Sequence, residues 1–518
     1  MPNRSDDTVF LLIKSLKKSE KRNFKLYAAR NTGGTDLKVI QLFDALDKMK
    51  TYDEAELIKK NKRISKTQLS NLKAHLQKLI LSSLRLIRQS DNISLQLNEQ
   101  MDFARILYNK GFYLQSLKML EKCKEQALAY QQFTYLQQIL FFEKKIEALY
   151  ITRSMQHKAD ELRLQSMQVN EKLLAISQLS GLSLQLYGWY IKNGVARNKK
   201  DEAEVKTFLE KELPADAGKQ KGFYEELYYY QSMNWYAFIR QDFLQHYRYS
   251  KKWVEVFDRY PEMIKVETAH YIKGLHNLMA SYFDMQKAKD LAATIEIFEK
   301  FSRRKSILQN DIYKVLCFQY LYQAKINLHF LEGTFSEGIR LVPHLEEQLN
   351  EYEPYLDQHR VLVFYYKIAC LYFGSGKFEK SIIYLNKIIH WKTDLRNDIQ
   401  CYARLLHLIA HYELGHFNLL EYLIKSVYRF MAKMENLSGV EEAMFHFLRK
   451  SFGLQPKELI PAFKTLLKDV KKFESDRFES RAFMYLDIIS WLESKISGKP
   501  VQDVIRGKYV KRKNNIVR

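Results

Sequence analysis

The sequence predicts an all-α protein, and three observations lead to that prediction. Its 518 residues include only 18 glycines and 8 prolines, which favours long helices joined by short connections. Apolar residues recur at the three- and four-residue intervals of amphipathic helices. In addition, a turn of the form Gly-x-aromatic returns several times along the chain. We therefore expect antiparallel helical hairpins over most of the sequence.

Residues 1–90 are predicted to form a separate helical domain, because they contain their own helix start and stop signals. The first helical stretch covers residues 9–30 and ends before two glycines. Two later helices open with the Ser/Thr-x-x-Glu/Gln pattern of a capping box, and a third opens with an aspartate. These predicted caps are Asp36, Thr51 with Glu54, and Ser65 with Gln68.

The last two predicted helices of this domain flank the basic turn KNKRIS. A short helix, a basic turn and a longer helix is the arrangement of a helix-turn-helix DNA-binding motif. One face of the second helix is an apolar stripe: Leu69, Leu72, Leu76, Leu79 and Ile80. Small polar residues on the opposite face suit base edges, and the nearby cations suit phosphates. The candidate nucleic-acid contacts are Lys62, Arg63, Lys66, Thr67, Asn71 and Lys78. An ordinary amphipathic helix that docks onto the rest of the chain explains the same pattern.

The Gly-x-aromatic turn organises residues 91–498. It occurs at Gly111, Gly333, Gly376 and Gly415, and the last three are 43 and 39 residues apart. Ala369 and Ser381 flank one such turn at positions where two helices would touch, so both are expected to be small to let the backbones approach. Residues 134–310 are expected to contain hairpins that lack this turn.

This layout resembles the tetratricopeptide repeat (TPR), a helical hairpin with a Gly-x-aromatic turn. The resemblance implies a right-handed superhelix, or TPR-like solenoid, of antiparallel hairpins. It also implies a binding scaffold whose concave face holds a protein or peptide.

The stretch Gly374-Ser375-Gly376-Lys377 looks like a phosphate-binding loop but lacks two of its parts. That loop needs a glycine five residues before the Gly-Lys pair and a hydroxyl residue after it, and Leu371 and Phe378 stand there instead. We therefore predict a solvated turn and no nucleotide cofactor.

The formal net charge of +23 is concentrated at the two ends of the chain. Residues 1–90 hold 20 lysines and arginines against 9 acids, and residues 499–518 hold 7 against 1. We predict a basic C-terminal tail over residues 499–518, in which Lys511, Arg512 and Lys513 are further candidate nucleic-acid contacts. Basic segments favour polyanions such as DNA, RNA or a ribonucleoprotein. The alternative is that the excess charge serves solubility alone.

Residues 223–253 are rich in aromatic side chains. Their candidate partner-groove residues are Tyr224, Tyr228, Trp235, Arg240 and His246. Aromatic residues in a groove stack on bases or hold an extended peptide. Packing between neighbouring hairpins is the alternative, since aromatics dominate helix interfaces.

No catalytic or metal-binding motif is found. His407 and His411 share a helix face and His416 follows, but Leu408 occupies the place where a zinc site of the familiar kind has glutamate. The four cysteines lack metal-ligand spacing, so we expect reduced, buried thiols. The sequence thus predicts neither an enzyme nor a metal or other cofactor.

Together these patterns predict a non-catalytic scaffold that binds a protein or peptide and contacts nucleic acid through its basic ends. A scaffold that binds protein alone is one alternative. A peptide-responsive DNA-binding transcription regulator is another, because a DNA-binding domain followed by such repeats resembles the layout of those regulators. No apolar run approaches the ~18 residues that span a membrane, and the N-terminus lacks a signal core, so a cytoplasmic protein is expected.

Overall fold

Every regular element of the computed structural model is a helix, and its described residues contain no strand, which confirms the all-α class. The structure describes residues 7–30, 36–61, 64–88, 92–149, 155–219, 222–391, 397–433, 439–451, 454–474, 476–479 and 487–517. The chain divides into two compact units, Met1–Glu171 and Lys172–Arg518. Among the described helices, none combines the length and apolar character needed to cross a bilayer.

Within its described residues, the first unit contains eight helices and the start of a ninth. These are α1 (Thr8–Ser15), α2 (Lys18–Arg30), α3 (Asp36–Lys48), α4 (Glu54–Lys60), α5 (Lys66–Arg88), α6 (Ile93–Asn109), α7 (Tyr113–Ala129), α8 (Phe133–Leu149) and α9 (Met155–Asn193). Helices α1–α5 share one apolar core, in which the Phe24 and Phe43 ring centroids lie 4.5 Å apart. The predicted cap of α4 at Thr51 is wrong: the Asp53 carboxylate caps this helix by accepting hydrogen bonds from two backbone amides.

The described residues of the second unit contain the end of α9 and eighteen further helices. They are α10 (Lys199–Glu212), α11 (Phe223–Ile239), α12 (Phe243–Arg259), α13 (Met263–Val266), α14 (Thr268–Asp284), α15 (Ala288–Ser302), α16 (Lys305–Leu308), α17 (Asp311–Glu332), α18 (Phe335–Gly338), α19 (Val342–Glu351), α20 (Gln358–Gly374), α21 (Phe378–Ile389), α22 (Asn397–Glu413), α23 (Phe417–Lys433), α24 (Gly439–Ser451), α25 (Pro456–Lys471), α26 (Ile488–Ser497) and α27 (Val501–Val517). Short 3₁₀ helices cover Ile339–Leu341 and Glu353–Tyr355.

The Gly-x-aromatic turns join consecutive helices, and each turn glycine has a left-handed backbone. The φ angles of Gly111, Gly333, Gly376 and Gly415 are +81°, +68°, +80° and +72°. At the α20–α21 hairpin, Ser381 Oγ donates a hydrogen bond of 2.9 Å to the carbonyl oxygen of Ala369, and both residues are fully buried. The predicted close contact between these small residues is confirmed.

Three further turns place glutamine where glycine would be expected. Gln131, Gln241 and Gln286 have φ of +54°, +56° and +57°, and each is followed two residues later by the start of a helix. A non-glycine residue in this conformation costs roughly 1–2 kcal/mol. Two of these turns, at Gln241 and Gln286, lie within residues 134–310, where the glycine signature is absent.

Residues 499–518, predicted as a tail, contain helix α27, which packs against the end of α17. A Cβ atom at Gly333 would lie 2.5 Å from the Arg506 backbone nitrogen, so only glycine permits this approach. Tyr509 Oη donates to Glu332 Oε1 at 3.1 Å, and Arg506 Nη1 donates to the Glu332 carbonyl oxygen at 3.2 Å.

Candidate binding groove

A cavity of about 310 Å³, which we call the groove, lies among helices of the second unit. Residues of α9, α11, α12, α14, α17, α20 and α22 form its wall. On α14 the lining residues include Lys273, His276, Asn277, Ala280 and Phe283. This three- and four-residue spacing places them on one helix face. The groove is therefore lined by matching faces of successive helices.

Three cationic side chains line the groove: Lys273, Arg360 and Lys367. Lys367 Nζ donates to the amide oxygen of Asn327, and in the described part of the chain neither lysine forms an ion pair with a carboxylate. Arg360 Nε donates to Asp357 Oδ2 at 2.8 Å. The two lysines, which form no ion pair with a described carboxylate, lie between low-dielectric walls, where cations create a positive potential that attracts anions.

Burial lowers the pKa values of the basic groove residues, and neighbouring charges modify this effect. Burial lowers the pKa of Lys367 to about 8, although the nearby Asp284 carboxylate acts in the opposite direction. Burial and the nearby Arg360 guanidinium lower the pKa of Lys273. Burial, together with Arg360, Lys273 and Lys367, lowers the pKa of His276 to about 3, so this imidazole is neutral near pH 7. A bound anion would raise all three pKa values.

Aromatic rings lie beside these cations. The Trp235 ring stacks on Tyr190, with 5.5 Å between centroids, and its centroid lies 5.0 Å from that of Tyr187. Lys273 Nζ lies 5.4 Å from the Tyr187 ring centre and 5.9 Å from that of Trp235, within range for cation–π attraction. The groove thus offers flat apolar surface next to positive charge.

Two of the predicted partner-groove residues, Trp235 and His246, line the groove. The sequence did not single out Lys273, Arg360 or Lys367. Each sits in a helix whose pattern is that of any amphipathic helix, and only the fold brings the three together. The signal available in the sequence was that a cation occurs on one face of each of these separate helices.

The other three predicted partner-groove residues do not line the groove. Tyr224 Oη donates to Glu267 Oε1 at 2.7 Å, and the Tyr224 ring stacks against Tyr228. Arg240 forms an ion pair of 2.7 Å with Glu202. These contacts hold helices together, as the packing alternative predicts for such residues.

The candidate nucleic-acid contacts on α5 lie on its exposed face. These residues are Lys66, Thr67, Asn71 and Lys78, whereas Lys62 and Arg63 lie outside the described residues. The predicted stripe on the opposite face is buried at Leu69, Leu76 and Ile80 and partly buried at Leu72 and Leu79. Lys511, Arg512 and Lys513 are exposed on α27, where Arg512 also donates to the Gln286 side-chain oxygen.

The three histidines of α22 and its turn form a chain of ring contacts. His411 Nε2 lies 3.2 Å from His407 Nε2, and His411 Nδ1 lies 2.9 Å from His416 Nδ1. Burial, followed by the neighbouring His411, lowers the pKa of His407 to about 4. Within the described ranges, no group of three or more His, Cys, Asp or Glu side chains is arranged to hold a metal ion.

Comparison with known proteins adds no family to this description. A scan with protein-family models and a search of curated proteins each found no match to the sequence. The resemblance to tetratricopeptide repeats therefore rests on the turns and the helix packing described above.

Proposed function

We propose that the chain is a non-catalytic binding scaffold whose groove binds an acidic, extended peptide segment of a partner protein. The supporting observation is that Lys273 and Lys367 line the groove and neither forms an ion pair with a described carboxylate, although the Asp284 carboxylate is near enough to act electrostatically on Lys367. Holding an uncompensated ammonium group in a poorly hydrated site is unfavourable. An acidic ligand would offset that cost by supplying the missing negative charge.

The recurrence of the turns favours a TPR-like superhelix with the groove on its concave face. Successive left-handed turn residues from Gln241 to Gly415 are 39 to 47 residues apart, an interval longer than the ~34 residues of a standard TPR unit. In such an array the first helix of each hairpin faces inward, and the lining residues come mostly from helices of that kind, such as α14, α17 and α20.

Amide side chains favour a peptide as the ligand. Gln319, Gln323, Asn277 and Asn327 line the groove, and amide side chains carry both donors and acceptors. Within the protein, the oxygens of Gln319, Asn277 and Asn327 accept hydrogen bonds, and the Asn277 amide nitrogen donates to the Lys273 carbonyl oxygen. A peptide backbone offers one N–H and one C=O per residue and pairs with such amides. The aromatic wall suits apolar side chains placed between acidic ones.

The test uses two decapeptides, one of alternating glutamate and leucine and one in which glutamine replaces every glutamate, each with fluorescein at its C-terminus. We expect the glutamate peptide to bind at least about tenfold more tightly in fluorescence anisotropy, because each charge-assisted hydrogen bond contributes roughly 1.5–3 kcal/mol. Lys273→Met should remove most of that difference.

The matched control is Lys377→Gln, which removes an exposed lysine at a hairpin turn outside the groove. Affinity should stay within about twofold of the wild type, as for most exposed charges. Equal affinity for the two peptides, or an equal loss in both variants, would refute the proposal.

A second candidate function is nucleic-acid binding by α5. The observation that favours it is the separation of this helix into a buried apolar face and an exposed face carrying Lys66, Thr67, Asn71 and Lys78. Lysines would contact phosphates and Asn71 a base edge. Both activities in one chain would make it a scaffold that binds a peptide and contacts nucleic acid, and an effect of the peptide on DNA binding would make it a peptide-responsive regulator. The groove alone would make it a protein-binding scaffold.

A further inference from the structure

The groove also contains a site of opposite character, formed by Gln241, His246 and Asp284. Asp284 is the one carboxylate among the described residues that line the groove. A neighbouring cavity of about 300 Å³, walled in part by α27, is also lined by Asp284 and by three phenylalanines that it shares with the groove: Phe243, Phe283 and Phe330. The carboxylate therefore stands where the two cavities meet.

Polar atoms at this site are buried without protein partners. His246 is 1% exposed and Gln241 is 3% exposed. No described group lies within hydrogen-bonding distance of Gln241 Oε1 or of either His246 ring nitrogen. Leaving such atoms unsatisfied is costly, and native structures rarely do so without a reason.

The contact between His246 and Asp284 leaves room for a third group. Nδ1 of the imidazole lies 3.6 Å from Oδ2 of the carboxylate, and the Asp284 side chain is 8% exposed. Hydrogen bonds between nitrogen and oxygen are normally about 2.7–3.2 Å long. The pair is thus close enough to share a ligand atom but too far apart to satisfy each other.

We propose that this site binds a primary ammonium group. A ring nitrogen of an imidazole in its unprotonated form, a carboxylate and a glutamine carbonyl can each accept a hydrogen bond, and a primary ammonium carries three N–H donors. A carboxylate would meet only one donor here, on His246, and would face the charge of Asp284. The three acceptors therefore match an amine and oppose an acid.

Gln241 provides independent support. Its left-handed backbone is strained for a residue other than glycine, and its Nε2 donates to the Ala196 carbonyl oxygen at 2.9 Å, which fixes the amide. Holding the amide in place leaves its oxygen in the groove lining.

This inference rests on the proposed function and sharpens it. Lys273 and Arg360 would hold the acidic groups of the ligand while Asp284 holds its ammonium group. The ligand is then zwitterionic, and its bound direction is fixed by charge. An amine of this kind is either the free amino terminus of a peptide or a lysine side chain, and the two sources can be separated by experiment.

The test compares three glutamate–leucine decapeptides labelled at the C-terminus. One has a free amino terminus, one is N-acetylated, and one is N-acetylated with lysine as its first residue. We expect at least one amine-bearing peptide to bind about tenfold or more tightly than the plain acetylated peptide. The amine-bearing peptide that gains affinity identifies the source. Asp284→Asn should remove the gain and retain binding of the acetylated peptide.

Gln241→Gly provides a second variant, because glycine adopts the same left-handed backbone while losing the acceptor. It should lose several-fold of the amine preference. The matched control is Gln286→Gly, at the corresponding position of the next turn, which lines the neighbouring cavity and not the groove. That control should keep the preference.

The outcomes separate the two proposals. Equal binding of all three peptides by the wild type overturns the ammonium site while leaving the acidic-peptide proposal intact. If no peptide binds, the acidic-peptide proposal fails. The ammonium site is then tested by comparing how benzylamine and benzyl alcohol change the melting temperature of the protein. The site is supported if benzylamine stabilises the wild type and this stabilisation is lost in Asp284→Asn. Equal melting-temperature shifts with benzylamine and benzyl alcohol would mean that the polar atoms of the site bind water only, and this result would overturn the ammonium proposal.

Discussion

The two basic surfaces of the molecule, the exposed face of α5 and the groove, hold their charges in different ways. Lys66 and Lys78 on α5 are exposed, so salt screens them and each contributes little to stability. Lys273 and Lys367 line a cavity, and burial lowers both of their pKa values. The first arrangement suits contact with any polyanion, and the second suits a specific ligand that displaces water.

This difference shows why net charge alone is a poor guide to a binding site. The N-terminal residues stand out in the composition, whereas the groove lies in a nearly balanced part of the chain. A few cations matter more when they are desolvated, because electrostatic interactions strengthen as the local dielectric constant falls.

The largest expected effect comes from removing both groove lysines. Lys273→Met combined with Lys367→Met should weaken binding of the glutamate–leucine decapeptide by about a hundredfold or more, since two charge-assisted contacts are lost. Fluorescence anisotropy measures this. The control removes two exposed lysines, Lys289 and Lys377. A comparable loss in that control would mean that general charge, not the groove, binds the peptide.

A smaller effect is expected from pH, and its sign follows from Lys367. The ammonium form binds the acidic peptide, and its pKa of about 8 in the free protein should rise when the anion binds. Affinity should therefore be constant below pH 8 and fall by up to about tenfold per pH unit above it. The charged or titratable groups that act on this amine are Asp284, Cys370 and His276.

Anisotropy titrations between pH 6.5 and 9.5 test this prediction. Lys367→Met should bind more weakly and should lose most of the pH dependence. Affinity that rises through this range in the wild type would contradict the assignment of Lys367 as a contact.

Charge removal on α5 should have a milder effect that appears mainly as salt dependence. For duplex DNA, log affinity should fall linearly with log salt with a slope of about −0.9 per phosphate contact. Lys66→Gln combined with Lys78→Gln should flatten that slope by about one to two units. If the wild type does not bind DNA at low salt, nucleic-acid binding by α5 is excluded as a function.

The smallest effect on overall affinity is expected from Asn71→Ala. An amide carries no charge, so the salt slope should not change, whereas preference among base sequences should weaken because the side chain contacts base edges. Competition between mixed and fixed-sequence duplexes measures the preference. A changed slope with an unchanged preference would place Asn71 at a phosphate instead.

Local features of the fold were predictable because neighbouring residues determine them. The turn glycines, the contact between Ala369 and Ser381, and the buried stripe of α5 all follow from backbone sterics and helical periodicity. The cap of α4 was misplaced by two residues, because the Asp53 carboxylate accepts hydrogen bonds from the Ala55 and Glu56 amides and starts the helix at Glu54.

The groove was not predictable, because its parts are distant in sequence. Lys273 and Lys367 lie on helices separated by several others, and no local pattern links them. The turns at Gln241 and Gln286 were not predicted, because glutamine is not expected in a left-handed backbone. Tertiary contacts that the sequence does not reveal offset the free-energy cost of that conformation.

The unpaired lysines of the groove have a practical consequence for anyone who handles this protein. Citrate, succinate and phosphate in a purification buffer are small acids of the kind that the groove attracts, and each would compete with a peptide by mass action. Apparent affinities and melting temperatures should therefore depend on the choice of buffer even at constant pH and ionic strength. A zwitterionic sulfonate buffer compared with citrate at matched ionic strength would show how large that dependence is.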